Sequence, residues 1–120
     1  MTSPTILLVE DDADTREMLG KFLELEGYHV EMAVNGQHAL ERLRNGVKPF
    51  VIVLDLMMPI MDGWQFRREQ VRRAALASIP VIVVSAAGKE RMERIEANAY
   101  MSKPIDLEAL LKQISVYCAR

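Results

Sequence analysis

Cysteine is all but missing from this chain: Cys118 stands alone among 120 residues. One thiol excludes an internal disulfide and offers no metal-ligand spacing, so a reducing, cytoplasmic setting is the expectation. Long apolar runs are missing as well. None approaches the roughly 20 residues that span a bilayer, so no membrane partner is expected. The N-terminal Met1-Thr2-Ser3-Pro4 lacks a basic stretch followed by an apolar one and does not read as a signal peptide. There is no excess of positive charge. At a net charge of −2, no electrostatic case exists for nucleic acid or an anionic membrane as a direct partner. Repeats, linkers and low-complexity segments are also lacking, and the length suits one hydrophobic core, so residues 1–120 read as a single domain.

What is present is a pair of short apolar runs that stop on acid. Ile6-Leu7-Leu8-Val9 ends at Glu10-Asp11-Asp12, and Val51-Ile52-Val53-Leu54 ends at Asp55. Such runs of aliphatic residues read as strands buried on both faces, as in parallel sheets. Ligands of open α/β sheets bind just outside the carboxyl ends of the strands. Acids gathered at that edge repel one another unless a cation holds them, which points to a hard divalent metal such as Mg²⁺, with a phosphoryl group as its usual companion.

Strand and helix patterns alternate along the whole chain. Strands are expected at Thr5 to Val9, Tyr28 to Ala33, Phe50 to Leu54, Val81 to Val84 and Ala99 to Ser102. Helices are expected from Asp14 to Glu26, after Asn35-Gly36 as far as Asn45-Gly46, from about Trp64 to Ala77, over roughly Lys89 to Ala97, and after the cap Asp106. Asp14 is the expected cap of the first helix, while Asp12 reads equally as a cap or as part of the acidic site. Five βα units with right-handed crossovers predict a flavodoxin-like (βα)5 doubly wound parallel sheet of order 2-1-3-4-5.

That order makes strands 1 and 3 neighbours and brings Glu10, Asp11, Asp12 and Asp55 together. Asp55 is a candidate nucleophile, since a carboxylate can form an acyl phosphate. Ser85 ends the fourth strand with small residues behind it, where a hydroxyl can donate to a phosphoryl oxygen. Lys103 ends the fifth and supplies a point charge for phosphate, and Pro104 after it fits a tight turn, with a cis bond as one option. Acid, acid, hydroxyl and lysine thus close strands 1, 3, 4 and 5. His29 and His38 have no carboxylate or cysteine partner nearby in sequence and are expected at the surface. The methionines 57, 58 and 61 read as adaptable packing, and Trp64 as the seat of the third helix. Arg67-Arg68-Glu69 with Arg72-Arg73 reads as a solvated helix face, with a basic docking patch as the alternative.

Taken together, these residues resemble the receiver domain of two-component response regulators over nearly the whole chain. Val9-Glu10-Asp11-Asp12 resembles the acidic-pair motif, and Leu54-Asp55-Leu56-Met57-Met58-Pro59 with Asp62-Gly63 the phosphoacceptor loop. Ser85-Ala86 resembles the Ser/Thr-Ala step and Lys103-Pro104 the lysine motif. The resemblance implies that Asp55 accepts phosphoryl from a histidine kinase or histidine phosphotransfer protein. It further implies Mg²⁺ held by Glu10, Asp11, Asp55 and the backbone carbonyl of Met57, with Ser85 and Lys103 on the phosphoryl oxygens. Tyr100 would be the aromatic switch that follows Ser85, a packing tyrosine being the alternative. The surface of helix 4, strand 5 and helix 5 would then control a downstream protein.

The chain departs from the pattern in places. Asp55 and Ser85 are 30 residues apart, as the family leads one to expect, but Ser85 and Lys103 are only 18 apart, shorter by about one helical turn. Glu96 stands where a glycine is usual, and Asn98-Ala99 replaces an acidic pair. A monomer or weak dimer is therefore the expectation. With no residues left after the last helix for an output domain, a stand-alone receiver rather than an enzyme is expected. The rival reading is a small Mg²⁺-dependent phosphohydrolase with an aspartyl nucleophile. That chemistry wants a second acid two residues after the nucleophile, where this chain has Met57.

Overall fold

A computed structural model of the protein describes residues 3–118. Five strands and five helices alternate: β1 (Thr5–Val9), α1 (Ala13–Leu25), β2 (His29–Ala33), α2 (Gly36–Arg44), β3 (Val51–Leu54), α3 (Gly63–Val71), β4 (Val81–Ser85), α4 (Lys89–Met92), β5 (Ala99–Ser102) and α5 (Leu107–Tyr117). All strands are parallel and run in the order β2-β1-β3-β4-β5. The flavodoxin-like α/β arrangement expected from the sequence is the one found.

The inner strands β1, β3 and β4 are buried because side chains alternate between two covered faces, while the edge strands β2 and β5 are partly exposed. On one face Ile6, Leu8, Val51, Val53, Ile82 and Val84 pack against Leu19 and Leu23 of α1 and Leu110 and Ile114 of α5. On the other, Leu7, Val9, Ile52, Leu54, Val81 and Val83 meet Leu40 and Leu43 of α2, Phe66 of α3 and Met92 of α4. Full burial of one such side chain contributes about 1.5–3 kcal/mol. Among the described residues no helix is long and apolar enough to cross a membrane.

Register brings the strand ends level. Val9 pairs with Leu54, Leu54 with Val83, and Ser85 with Ser102, so the residues that follow β1, β3, β4 and β5 share one edge.

Three helix boundaries differ from the sequence-based expectation. Asp12, not Asp14, caps α1: its carboxylate accepts from the Thr15 amide at 2.9 Å and the Thr15 hydroxyl at 2.6 Å. Asp14 sits within the first turn, where its charge still suits the helix dipole. Helix α3 stops at Val71 rather than Ala77, because the buried Gln70 amide donates to the carbonyls of Leu76 (2.9 Å) and Ile79 (3.1 Å). That amide winds residues 72–79 into tight turns ahead of Pro80.

Helix α4 is a single turn. The carbonyls that would continue it are taken from outside: Trp64 Nε1 donates to Arg91 O (3.1 Å), Arg67 Nε to Glu96 O (2.8 Å), and the Tyr100 hydroxyl to Ile95 O. Side chains of α3 and β5 thus satisfy the Ile95 and Glu96 carbonyls and share that of Arg91 with the Arg94 amide, where a longer helix would have paired them internally. The stretch between Ser85 and Lys103, expected from the sequence to be short, is made up of this one-turn helix, the segment after it and β5.

Candidate phosphoacceptor site

The site is built where β1 and β3 end. Glu10 (3 % exposed) and Asp55 (6 % exposed) are buried, while Asp11 faces outward. The chain is fixed there by backbone bonds: Glu10 N–H donates to Ala33 O and Asp55 N–H to Val9 O, both at 3.0 Å. Oxygens from Glu10, Asp11 and Asp55 lie within 4.8 Å of one another.

Lys103 reaches across from β5. Its ammonium donates to Glu10 Oε1 at 2.8 Å and to Asp55 Oδ2 at 3.3 Å. Burial works against this charge, yet the Glu10 hydrogen bond and the Asp55 carboxylate hold the lysine pKa above its ordinary value. One ammonium does not neutralise three carboxylates. Partial burial first, then the hydrogen bond to Glu10 and that group's charge, push the Asp11 carboxyl upward. Three hard oxygen donors in excess over one lysine fit a divalent ion of the Mg²⁺ type. Asp12, by contrast, is drawn away: its bonds to the Thr15 hydroxyl and amide hold its carboxyl below the usual range. Capping, of the two roles open to it in the sequence, is the one it fills.

The loop after β3 is pinned at several points. Met57 N–H approaches Asp55 Oδ1 at 3.4 Å, Gly63 N–H donates to Leu56 O at 2.8 Å, and Gly36 N–H to Met61 O at 2.9 Å. Asp62 and Gln65 form a reciprocal capping box that starts α3 directly behind the loop. Gly63 permits the close approach, since a Cβ there would lie 2.6 Å from Asp55 O and 2.7 Å from Leu56 Cα.

Ser85 is fully buried at the end of β4, its Oγ accepting from the Ala87 amide at 3.1 Å. Its carbonyl accepts from Lys103 N–H at 2.9 Å, which joins the hydroxyl and lysine positions. The Lys103–Pro104 peptide is cis. Tyr100 is 41 % exposed, and its hydroxyl engages the α4–β5 segment, donating to Ile95 O and accepting from Ala97 N–H. It makes no hydrogen bond to Ser85 here. Glu10, Asp11, Asp55 and Lys103 are thus assembled, Ser85 closes the same edge, and Tyr100 stands apart.

Several side chains behave differently from their sequence reading. Arg16 escaped notice there, yet its guanidinium donates to the carbonyls of Glu10 (3.0 Å) and Asp11 (3.2 Å), bracing the acidic turn. A cation in the first turn of a helix, where the dipole disfavours it, was the available signal. His29 does have a carboxylate partner: Glu31, two residues along the same strand face, lies 2.6 Å from its Nε2. His38 accepts from the Val34 amide through Nδ1 at 3.1 Å, a local structural bond. Arg67 is half-buried and bonded to Glu96 O and Gln70 rather than solvated.

Comparison with known proteins agrees with this geometry. The family model described as "Response regulator receiver domain" matches residues 6–115. The chain is 37% identical over 119 residues to response regulator MprA of Mycobacterium sp. (strain KMS), covering 96% of this chain and 50% of that protein. It therefore spans about half the length of the curated relatives it matches. Among solved structures, the signal receiver domain of a signal transduction histidine kinase from Syntrophus aciditrophicus superposes with a TM-score of 0.89 at 29% identity, covering 98% of this chain and 91% of that one. Chemotaxis protein CheY4 of Vibrio cholerae gives 0.86 at 26% identity, covering 97% and 99%.

Proposed function

Since the chain belongs to the response regulator receiver domain family, we propose that it accepts a phosphoryl group on Asp55 from a phosphohistidine donor, a histidine kinase or a histidine phosphotransfer protein. The observation that carries this reading is the buried Asp55 carboxylate, with Glu10 and Asp11 oxygens inside 4.8 Å and the Lys103 ammonium at 3.3 Å.

A carboxylate oxygen of Asp55 attacks phosphorus while the phosphorus–nitrogen bond of the donor breaks, and its electron pair returns to the imidazole. Such a transfer asks the protein for position and charge rather than for covalent help. Asp55 is held by its backbone bond to Val9 and by the pinned loop behind it. Lys103, already against Asp55, is free to follow the incoming oxygens while remaining near Glu10, and the Ser85 hydroxyl and Met57 amide supply further donors at the same edge. Glu10, Asp11, Asp55 and the Met57 carbonyl would hold Mg²⁺, which when bound supplies neutralising charge for the phosphoryl oxygens.

After transfer, the drawing of Ser85 towards the phosphoryl group would alter the space beside it, and Tyr100 would exchange its bonds to Ile95 and Ala97 for that space. The face formed by α4, β5 and α5 would change with it and be read by a downstream protein. The rival phosphohydrolase reading is disfavoured by Met57, an apolar side chain where that chemistry wants an acid.

Acetyl phosphate and Mg²⁺, followed by intact mass, test the proposal. One phosphoryl added to the wild type and none to Asp55→Asn is expected. Stoichiometric addition that persists in D55N would remove Asp55 from the role, and turnover of many phosphomonoesters per chain would favour the hydrolase.

A further inference from the structure

The cleft between α3 and the segment that follows α4 holds about 250 Å³ and is lined by the apolar Trp64, Val71 and Ile95 and by Arg67, Arg68, Arg94 and one acid, Glu96. It lies on the α3 side of α4. The concavity beside the proposed switch, lined by Lys89, Met92, Tyr100 and Ser102, is separate. The volume of the α3–α4 cleft falls below the roughly 300–1,000 Å³ of small-molecule sites, and suits one large apolar side chain projected from another protein.

The arginines around it fall into two kinds. Arg67 is committed to Glu96 O and Gln70 Oε1, both at 2.8 Å, and Arg91 lies over the Trp64 ring at 5.0 Å. These stiffen the walls. Arg68 and Arg94 are exposed at the mouth. Arg68 has no ion-pair partner among the described residues, and Arg94 has only a loose, solvent-exposed contact with Glu90 at 3.8 Å. Three arginines line the cleft against the single carboxylate of Glu96, in a chain of net charge −2. The face is locally positive on a molecule that is otherwise acidic.

We propose that this α3–α4 cleft is a docking surface for an acidic segment of a partner protein, one that seats an apolar side chain on Trp64 and Ile95 and sets flanking carboxylates against Arg68 and Arg94. Preformed, stiff walls lower the ordering cost of such docking, and the exposed guanidinium forks suit carboxylates. A phosphodiester strand fits less well, because the remainder of the surface repels it.

The experiment uses the whole chain and a blocked Glu-Glu-Leu-Glu-Glu peptide. Binding is followed by nuclear magnetic resonance at the indole of Trp64, the single tryptophan, and at the amides of Val71 and Ile95. Saturable shifts are expected at these positions. Affinity should fall about tenfold in R68E/R94E, and by a similar factor for a Gln-Gln-Leu-Gln-Gln peptide. The control K21E/K48E changes charge equally at exposed sites elsewhere and should bind as wild type does. R68A/R94A, which removes charge without reversing it, should lie between the two. Absence of shifts at millimolar peptide, equal binding by R68E/R94E, or tighter binding of oligothymidylate would each overturn the proposal.

Discussion

At the residue scale, Lys103 is the cation on which the resting site depends. Removing it as Lys103→Met leaves Glu10 and Asp55 buried without their ammonium, and uncompensated buried charge is destabilising. Urea unfolding in EDTA at pH 8 should show a lower midpoint for K103M than for wild type. The folded pKa of Lys103 is raised, so its contribution is complete below the ordinary lysine value of about 10.4 and is lost as pH climbs through the folded value. The gap between wild type and K103M should therefore narrow in strongly alkaline buffer; a gap constant from pH 8 to the alkaline limit would contradict the pairing. Mg²⁺ and Lys103 draw on the same oxygens. Added Mg²⁺ should accordingly raise the melting temperature of K103M more than that of wild type, and raise that of Asp11→Asn least.

At the element scale, the loop from Asp55 to α3 and the segment from α4 to β5 are both held by a few identifiable contacts. Gly63→Ala would drive a Cβ into backbone atoms of Asp55 and Leu56, which cannot retreat singly. A loss of about 1–3 kcal/mol by urea unfolding, with slower phosphorylation by acetyl phosphate, is the expected outcome; unchanged values in both would show that the close approach is not needed. Tyr100→Phe keeps the ring but deletes the hydroxyl that accepts from Ala97 N–H and donates to Ile95 O. Hydrogen exchange at the Ala97 amide should accelerate in Y100F while that of Val83, in the sheet interior, is unchanged. These elements also mark where sequence reasoning ran short. Residues 72–77 carry helix formers and no breaker, and only the long reach of the buried Gln70 amide explains why α3 ends early. The brevity of α4 likewise depends on Trp64, Arg67 and Tyr100, none of them local to it. Asp12 and Asp14 are both acids at a helix start, and spacing alone does not choose between them.

At the scale of the whole molecule, the parallel sheet was legible because aliphatic runs such as Val51–Leu54 leave no polar face, and the acidic cluster was legible because Glu10 and Asp55 follow two such runs directly, whereas Lys103 follows the mixed strand Ala99–Ser102. What remained hidden are contacts between distant elements, Arg16 on the acidic turn and Arg67 on the α4–β5 segment. The same shortened segment bears on assembly. The charges of α4 and the turn after it meet only in loose, solvent-exposed contacts along the helix, Lys89 with Glu93 at 3.9 Å and Glu90 with Arg94 at 3.8 Å. A four-residue helix beside a four-residue edge strand offers little continuous surface, whereas stable protein interfaces bury about 800 Å² on each partner. Sedimentation should therefore give a monomer both without ligand and after acetyl phosphate with Mg²⁺. A tight dimer formed only on phosphorylation, and lost when Tyr100 or Glu93 is replaced, would show that this face associates despite its reduced extent.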